Sequence, residues 1–230
     1  MDGNHPVRLG RLPHHAAALA AAPRRYSTVP PPPVLDRSKH DFQPGLWGND
    51  TYPNCTAVAL ANAALGAAQI NGYGLVIDPK APLAFYADCV GNPPDLAATG
   101  GAVMLDVLTR AQTSGYNIGP QLLVPAFGVV PLALSALAAS MAHEPLYCGV
   151  TLLERDMDTR GSLWDVQDGR DDGAVVGGHA VMLWDYRGLE LGDTVRIGTW
   201  GGWQPATWRW VMARLDEAFG MAWRQIGVTT

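Results

Sequence analysis

Residues 55–69 read Cys-Thr-Ala-Val-Ala-Leu-Ala-Asn-Ala-Ala-Leu-Gly-Ala-Ala-Gln, a helix-forming run with small or apolar side chains on nearly every face. A helix that is hydrophobic all round belongs inside a core, so the rest of the chain has to be wrapped about it. At 230 residues, 48% hydrophobic and 16% charged, the chain can build one well-buried domain with an appendage. Asn54 and Thr56 are placed to cap the start of the helix. Its first residue is a cysteine, and a thiol at a helix N-terminus feels the positive end of the macrodipole, which favours thiolate.

Downstream stand Gly178-His179 and Trp200-Gly201. An imidazole beside Cys55 could take its proton and return it, the minimal equipment of a thiol–imidazole site. Cys89 follows Phe85-Tyr86-Ala87 and Cys148 lies in Pro145-Leu146-Tyr147-Cys148-Gly149-Val150, so both read as packing thiols. Three cysteines without a CxxC pair fit neither a disulfide scaffold nor a metal or redox motif. His5, His14-His15, His40 and His143 lie in unrelated contexts, and neither a metal nor a cofactor is expected.

A formal charge of −5 and a pI near 5.6 argue against a nucleic-acid binder, since Arg24-Arg25 is the one small basic cluster. No apolar run reaches the roughly 18 residues needed to span a bilayer. The Ala16–Ala22 stretch is short, follows two histidines, and does not read as a signal peptide. The expectation is a protein kept in the cytosol or released by lysis, without membrane contact.

Residues 1–45 differ from the remainder. They contain Pro6, Pro13, Pro23 and the run Pro30-Pro31-Pro32-Pro33, which favours polyproline II and reads as an extended arm on a 46–230 domain. Such an arm could lie across its own domain, act as a pro-segment, or dock on a partner.

After the central helix, Gly100-Gly101 precedes a second helical pattern with Val103, Leu105, Val107, Leu108 and Ala111, closed by Ser114-Gly115. A third helix is expected over 131–143 with Leu132, Leu134, Leu137 and Met141 buried. Strands follow at 146–152, 180–184, 194–199 and 207–211, then a last helix at 212–220. The acidic 165–172 stretch reads as a solvated loop without EF-hand spacing. Helices first and antiparallel strands second imply an α+β domain.

Together these residues resemble the papain-like cysteine peptidase superfamily over residues 45 to 211. Cys55 with its Ala-rich helix matches the nucleophile segment, Gly178-His179-Ala180-Val181 the histidine strand, and Ile197-Gly198-Thr199-Trp200-Gly201 the family's Asn-Ser-Trp-Gly strand. The resemblance implies a helical half, with the Cys helix at its centre, packed on an antiparallel half-barrel. It places Asn49, six residues before Cys55, where an oxyanion-hole glutamine usually stands. It also puts Gly198 at the orienting asparagine, leaving Thr199 as a substitute that alternation would turn away unless a bulge intervened, with Asp185 as a further candidate. Thr56 stands where many such enzymes carry an aromatic residue. A narrower resemblance is to uncharacterised papain-like proteins of bacteriophages and actinobacteria with a Pro-rich arm, a Gly-Asn-Asp segment and a Thr-Trp-Gly strand.

Three functions follow as expectations. One is a peptidase or amidase acting on a polypeptide or a peptidoglycan peptide, with Cys55 as nucleophile, His179 as base, Asn49 at the oxyanion and Thr199 orienting the imidazole. Another is a non-catalytic bacteriophage virion protein on this scaffold, docking on virion subunits through residues 1–45. The third is a binding module built on Trp200, Trp203, Trp208 and Trp210, of which Trp208 and Trp210 would share one strand face.

Overall fold

The computed structural model describes residues 7–24 and 27–227, with side chains described as far as residue 224; His5, Pro6 and Arg25 lie outside this set. In chain order the elements are β1 (Arg11–Leu12), α1 (Ala16–Ala21), α2 (Cys55–Asn71), α3 (Ala81–Cys89), β2 (Ala102–Val103), α4 (Met104–Ser114), β3 (Tyr116–Asn117), β4 (Gln121–Val129), α5 (Leu134–Met141), β5 (Leu146–Leu153), α6 (Glu154–Asp158), β6 (Val175–Tyr186), β7 (Thr194–Thr199), β8 (Gly202–Thr207), α7 (Trp208–Arg214) and β9 (Leu215–Gly227), with a 3-10 turn at Ser38–His40. The fold is α+β. Seven strands form an antiparallel sheet in the order β3-β4-β9-β5-β6-β7-β8, and β1 and β2 make a separate parallel pair. Among the described residues no helix is long and apolar enough to cross a membrane.

The α2 helix is buried from Cys55 through Ala64, as its composition demands. Gly66 lets it lie against the sheet, because a Cβ there would sit 2.7 Å from the Trp184 ring. Two buried phenols hold its first turn: Tyr147 donates to the Thr56 carbonyl (3.0 Å) and Tyr116 to that of Ala57 (3.2 Å). The side-chain cap expected from Asn54 is not made. Its Nδ2 donates instead to the Trp47 carbonyl at 3.0 Å, and the Thr56 hydroxyl finds no partner.

Strand alternation divides the interior into two cores. Ala180, Met182 and Trp184 of β6 join Cys55 and Tyr147 on the α2 side. Val181, Leu183, Cys148, Val195 and Ile197 face the other core, which α5 and α7 complete.

Several expected elements come out differently. The third helix is shorter, Leu134–Met141, and Leu132 is exposed. Of the strand expected at 207–211 only Thr207 is strand, as the last residue of β8: its hydroxyl accepts from the Trp210 N–H (3.1 Å) and caps α7, which buries Trp208 and Trp210. Trp210 stacks on Trp164 at 4.6 Å. Trp208 and Trp210 therefore fill a core and are closed to a ligand, unlike what a binding module built on them would need. The helix expected at 212–220 is largely β9, and β4 was not foreseen at all. The two pair over nine positions, and β9 also pairs with β5, so non-local pairing overrides the local apolar spacing. The acidic loop is bound rather than simply solvated: Asp165 accepts from Thr207 (2.6 Å), while Asp172 pairs with Arg170 (2.8 Å) and Arg214 (2.5 Å).

Candidate active site

Cys55 opens α2 and is 1% exposed. Burial pushes its thiol up to about 11, against the opposing pull of the Ala180, Gly10 and Thr56 backbone amides and the Arg11 charge. The helix start therefore does not yield a thiolate here, because removing solvent outweighs a macrodipole effect usually worth under about 2 kcal/mol. Burial likewise raises Cys89 to about 12 and Cys148 well above the usual thiol range.

The strand that meets the thiol through Ala180 carries His179 as its preceding residue. That imidazole is buried, and burial with the Arg11 charge lowers it to about 3, so it is neutral. Its Nε2 lies 2.6 Å from Thr199 Oγ1, and its Nδ1 has no hydrogen-bond partner. Trp200 stacks on the ring at 4.3 Å and shields this contact.

Thr199 reaches His179 with the help of a register shift, which lies in β6 between Leu183 and Asp185 rather than at Thr199 itself. Met182 is opposite Gly198, so Thr199 lies on the face of Val181, diagonal to His179. Gly198 faces the other way, where a Cβ would meet Met182 Cε at 2.6 Å. Asp185 is not part of the site; it pairs with Arg196 (2.6 Å) and accepts from the Arg37 backbone N–H (3.2 Å).

The cleft over Cys55 is filled by the chain's own N-terminal segment. Asn49 is buried, and its Nδ2 donates to the Arg8 and Tyr52 carbonyls, both at 3.1 Å, while its carbonyl accepts from Arg8 N–H at 2.8 Å. The Gly10 carbonyl accepts from Ala102 N–H (2.8 Å), and Arg11 and Leu12 pair with Ala102 and Val103. Two glycines make room: a Cβ on Gly101 would land on the Gly10 carbonyl, and one on Gly178 on that of Arg11. Asn49 thus grips the segment, with no oxyanion contact in this state.

Beside the thiol the Arg11 side chain enters the sheet. It donates to Glu217 Oε1 (3.0 Å), Thr151 Oγ1 (3.3 Å) and the Val150 carbonyl (3.4 Å), and pairs with Asp216. Burial raises Glu217, and Arg11 opposes that shift. Sequence reasoning missed Arg11, Glu217 and this whole contact. The paired glycines at 100–101 and 177–178 were a usable signal of close backbone approach, but nothing local names what approaches. Among the described residues no group of three or more His, Cys, Asp or Glu side chains is placed to hold a metal ion.

No family model matches the chain, and no curated protein matches it. Solved structures match well. Xylellain, a cysteine protease from Xylella fastidiosa, has a TM-score of 0.72 at 15% identity, covering 94% of this chain and 96% of that one. ProCathepsin B S9 from Trypanosoma congolense reaches 0.65 at 12% identity over 94% and 87%. Digestive procathepsin L 3 of Tenebrio molitor larval midgut reaches 0.64 at 12% identity over 96% and 76%. At these identities the likeness establishes the fold, and chemistry has to be argued from the site.

Proposed function

We propose that this chain is a papain-like cysteine hydrolase, a peptidase or amidase, whose cleft is held closed by an arm within residues 1–45 of a 46–230 domain. The observation that carries the reading is the Thr199–His179 contact. It occupies Nε2 and leaves Nδ1 unpaired in the interior, on the strand whose next residue touches the Cys55 thiol.

In the proposed reaction the arm leaves and solvent re-enters. Nδ1 of His179 takes the Cys55 proton, and the sulfur adds to the substrate carbonyl carbon. Asn49 Nδ2, released from the Arg8 carbonyl, and the Cys55 backbone N–H donate to the oxyanion. Collapse expels the amine, protonated by His179, and leaves a thioester. Water, deprotonated by the same imidazole, then releases the acid. Thr199 positions the ring and is not itself consumed. Xylellain is named as a cysteine protease, which favours a polypeptide or a peptidoglycan peptide as substrate.

Full burial of Cys55 favours a second reading, a non-catalytic bacteriophage virion protein, cytoplasmic before assembly, docking through residues 1–45. Iodoacetamide separates the two. In the full chain carrying Cys89→Ser and Cys148→Ser, alkylation of Cys55 is expected to be slow. With Arg11→Ala added it becomes fast and stays fast well below the free-thiol pKa of about 8.5, and His179→Ala abolishes this. A thiol that remains ordinary after Arg11→Ala and ignores His179 overturns the hydrolase. If peptides are cleaved, Thr199→Val lowers kcat by about 10-fold or more with KM little changed, and Thr199→Asn restores part of it.

A further inference from the structure

The residue that precedes the thiol breaks a local rule. Asn54 stands at the N-cap of α2, where its Oδ1 would ordinarily accept from a backbone N–H of the first turn, yet it makes no such cap. Its side chain turns away and donates from Nδ2 to the Trp47 carbonyl (3.0 Å), and Oδ1 is left without a partner although the residue is fully buried. A local preference given up in this way marks a position where another requirement prevails.

The acceptor is just as unusual. Trp47 has φ 38°, a left-handed conformation that is unfavourable for a bulky residue, and Gly48 follows with φ 88°. The two reverse the chain: Asn49 N–H donates to the Leu46 carbonyl (2.9 Å), and the Gly48 carbonyl accepts from Thr51 (3.0 Å) and Tyr52 (2.8 Å). The start of this turn is tied to α2 as well, because the Asn62 amide exchanges hydrogen bonds with both backbone groups of Gly45 (2.7 and 3.1 Å). What the turn delivers is Asn49, whose Nδ2 donates one hydrogen to the Tyr52 carbonyl and the other to the Arg8 carbonyl.

We propose that Asn54 is a positioning residue of the cleft: by holding the Trp47 carbonyl it keeps the left-handed turn closed and sets where the Asn49 amide stands relative to the Cys55 sulfur. Its consequence for catalysis rests on the hydrolase reading. Asn54 and Cys55 are consecutive, so the start of α2 fixes both the nucleophile and the donor that meets the oxyanion. When residues 7–24 leave, the Tyr52 carbonyl still orients the Asn49 amide and the N–H given up by Arg8 is free to donate. Without the Asn54 contact, Trp47 relaxes out of the left-handed region and Asn49, two residues on, moves with it. Asn54 acts through Asn49 and is not itself a catalytic residue.

Two readouts separate this role from general support of the fold. The first needs no activity: hydrogen exchange of the Asn49 and Asn62 side-chain amides, followed by NMR on the full chain with isotope-labelled asparagine. Asn54→Ala, and in parallel Asn54→Ser, which keeps a good N-cap and guards against misfolding, should speed exchange at Asn49 at least about tenfold and leave Asn62 unchanged. The second uses the chain carrying Cys89→Ser, Cys148→Ser and Arg11→Ala. With p-nitrophenyl acetate the Cys55 sulfur adds to the carbonyl carbon, an oxyanion forms, nitrophenolate leaves, and His179 keeps the thiol proton. Iodoacetamide alkylates the same sulfur with loss of iodide and forms no oxyanion. Adding Asn54→Ser is expected to lower acetylation at least about tenfold while alkylation and its pH profile are retained, and to make no further difference once Asn49 is alanine. Unchanged exchange at Asn49, alkylation that falls in step with acetylation, or an equal loss when Asn49 is already alanine overturns the proposal. A Cys55 that is never acetylated, alongside faster exchange at Asn49, sinks the hydrolase and leaves the hold of Asn54 on Asn49 standing; an acetylated Cys55 with exchange unchanged does the reverse.

Discussion

The N-terminal segment attaches to the domain in two ways, and its halves behave as different materials. Residues 27–45 are woven in. Leu35 exchanges two backbone hydrogen bonds with Tyr186, and Gly45 exchanges two with the Asn62 side chain. Arg37, 4% exposed, donates to the Trp184 (2.6 Å) and Met141 carbonyls, and Phe42 packs edge-on against Trp184 and Trp203. Residues 7–24 are laid on. Helix α1 buries no residue, the strand pairing spans two positions, and the Arg11 cluster leaves Arg11 Nε, Glu217 Oε2 and His14 Nδ1 without hydrogen-bond partners. Both halves share backbone hydrogen bonds with the domain, Arg8 with Asn49 and Gly10 with Ala102 in residues 7–24. The difference therefore lies in the side chains: Arg37 leaves no buried polar atom unpaired, whereas a charge cluster with unpaired atoms, as around Arg11, is the weaker contact.

Breaking the woven half has the largest expected effect. Arg37→Ala strands the buried Trp184 and Met141 carbonyls, while Asp185 keeps Arg196 and the backbone N–H at position 37, and should cost about 2–5 kcal/mol, on the order of 10 °C in melting temperature for a chain of this size. It should leave Cys55 unreactive. A loss below about 1 kcal/mol by calorimetry would erase the contrast between the halves.

Arg11→Ala should cost less than half of that. The laid-on half can lift away, and Glu217 is then hydrated rather than buried unpaired, so the loss is capped by the docking energy of residues 7–24. The same variant should raise Cys55 alkylation at least about tenfold, a readout that Arg37→Ala leaves flat. If both variants accelerate alkylation equally, the halves are one unit.

The smallest effect is a slope. His179 is held neutral down to about 3 by burial beneath Trp200 and by Arg11, whereas the unfolded imidazole takes a proton below about 6.5. Stability from this group is therefore full above 6.5 and falls as pH drops from 6.5 towards 3, by up to about 1.4 kcal/mol per pH unit. Comparing wild type with His179→Ala in urea melts isolates the contribution. It should be shallower in Arg11→Ala, where the ring regains water; an unchanged slope there would mean that residues 7–24 do not control access to it.

Much of the architecture was legible because it rests on local pattern. The all-round apolar run at 55–69 had to be a buried helix, and it is; 194–199 alternates and is a strand with those bounds. The failures share a cause. Residues 208–214 and 215–227 carry spacings compatible with either element, and capping by Thr207 and pairing with β4 and β5 decide between them. Polar neighbours misled similarly: Asp185 follows the histidine strand closely, yet Arg196 and Arg37 claim it.

By itself the sequence determined the central helix, the cysteine that begins it, and the order of thiol, imidazole and hydroxyl along the chain, because helical and strand periodicities act over a few residues. Only the tertiary structure decided which side chain meets His179, since one residue of register exchanges the two faces of a strand and selects Thr199 over Gly198. It also decided that Cys55 is a protonated thiol beneath a seated N-terminal segment. That outcome depends on desolvation and on an Arg11–Glu217 pairing 206 residues apart, and neither is encoded in any local window of the chain.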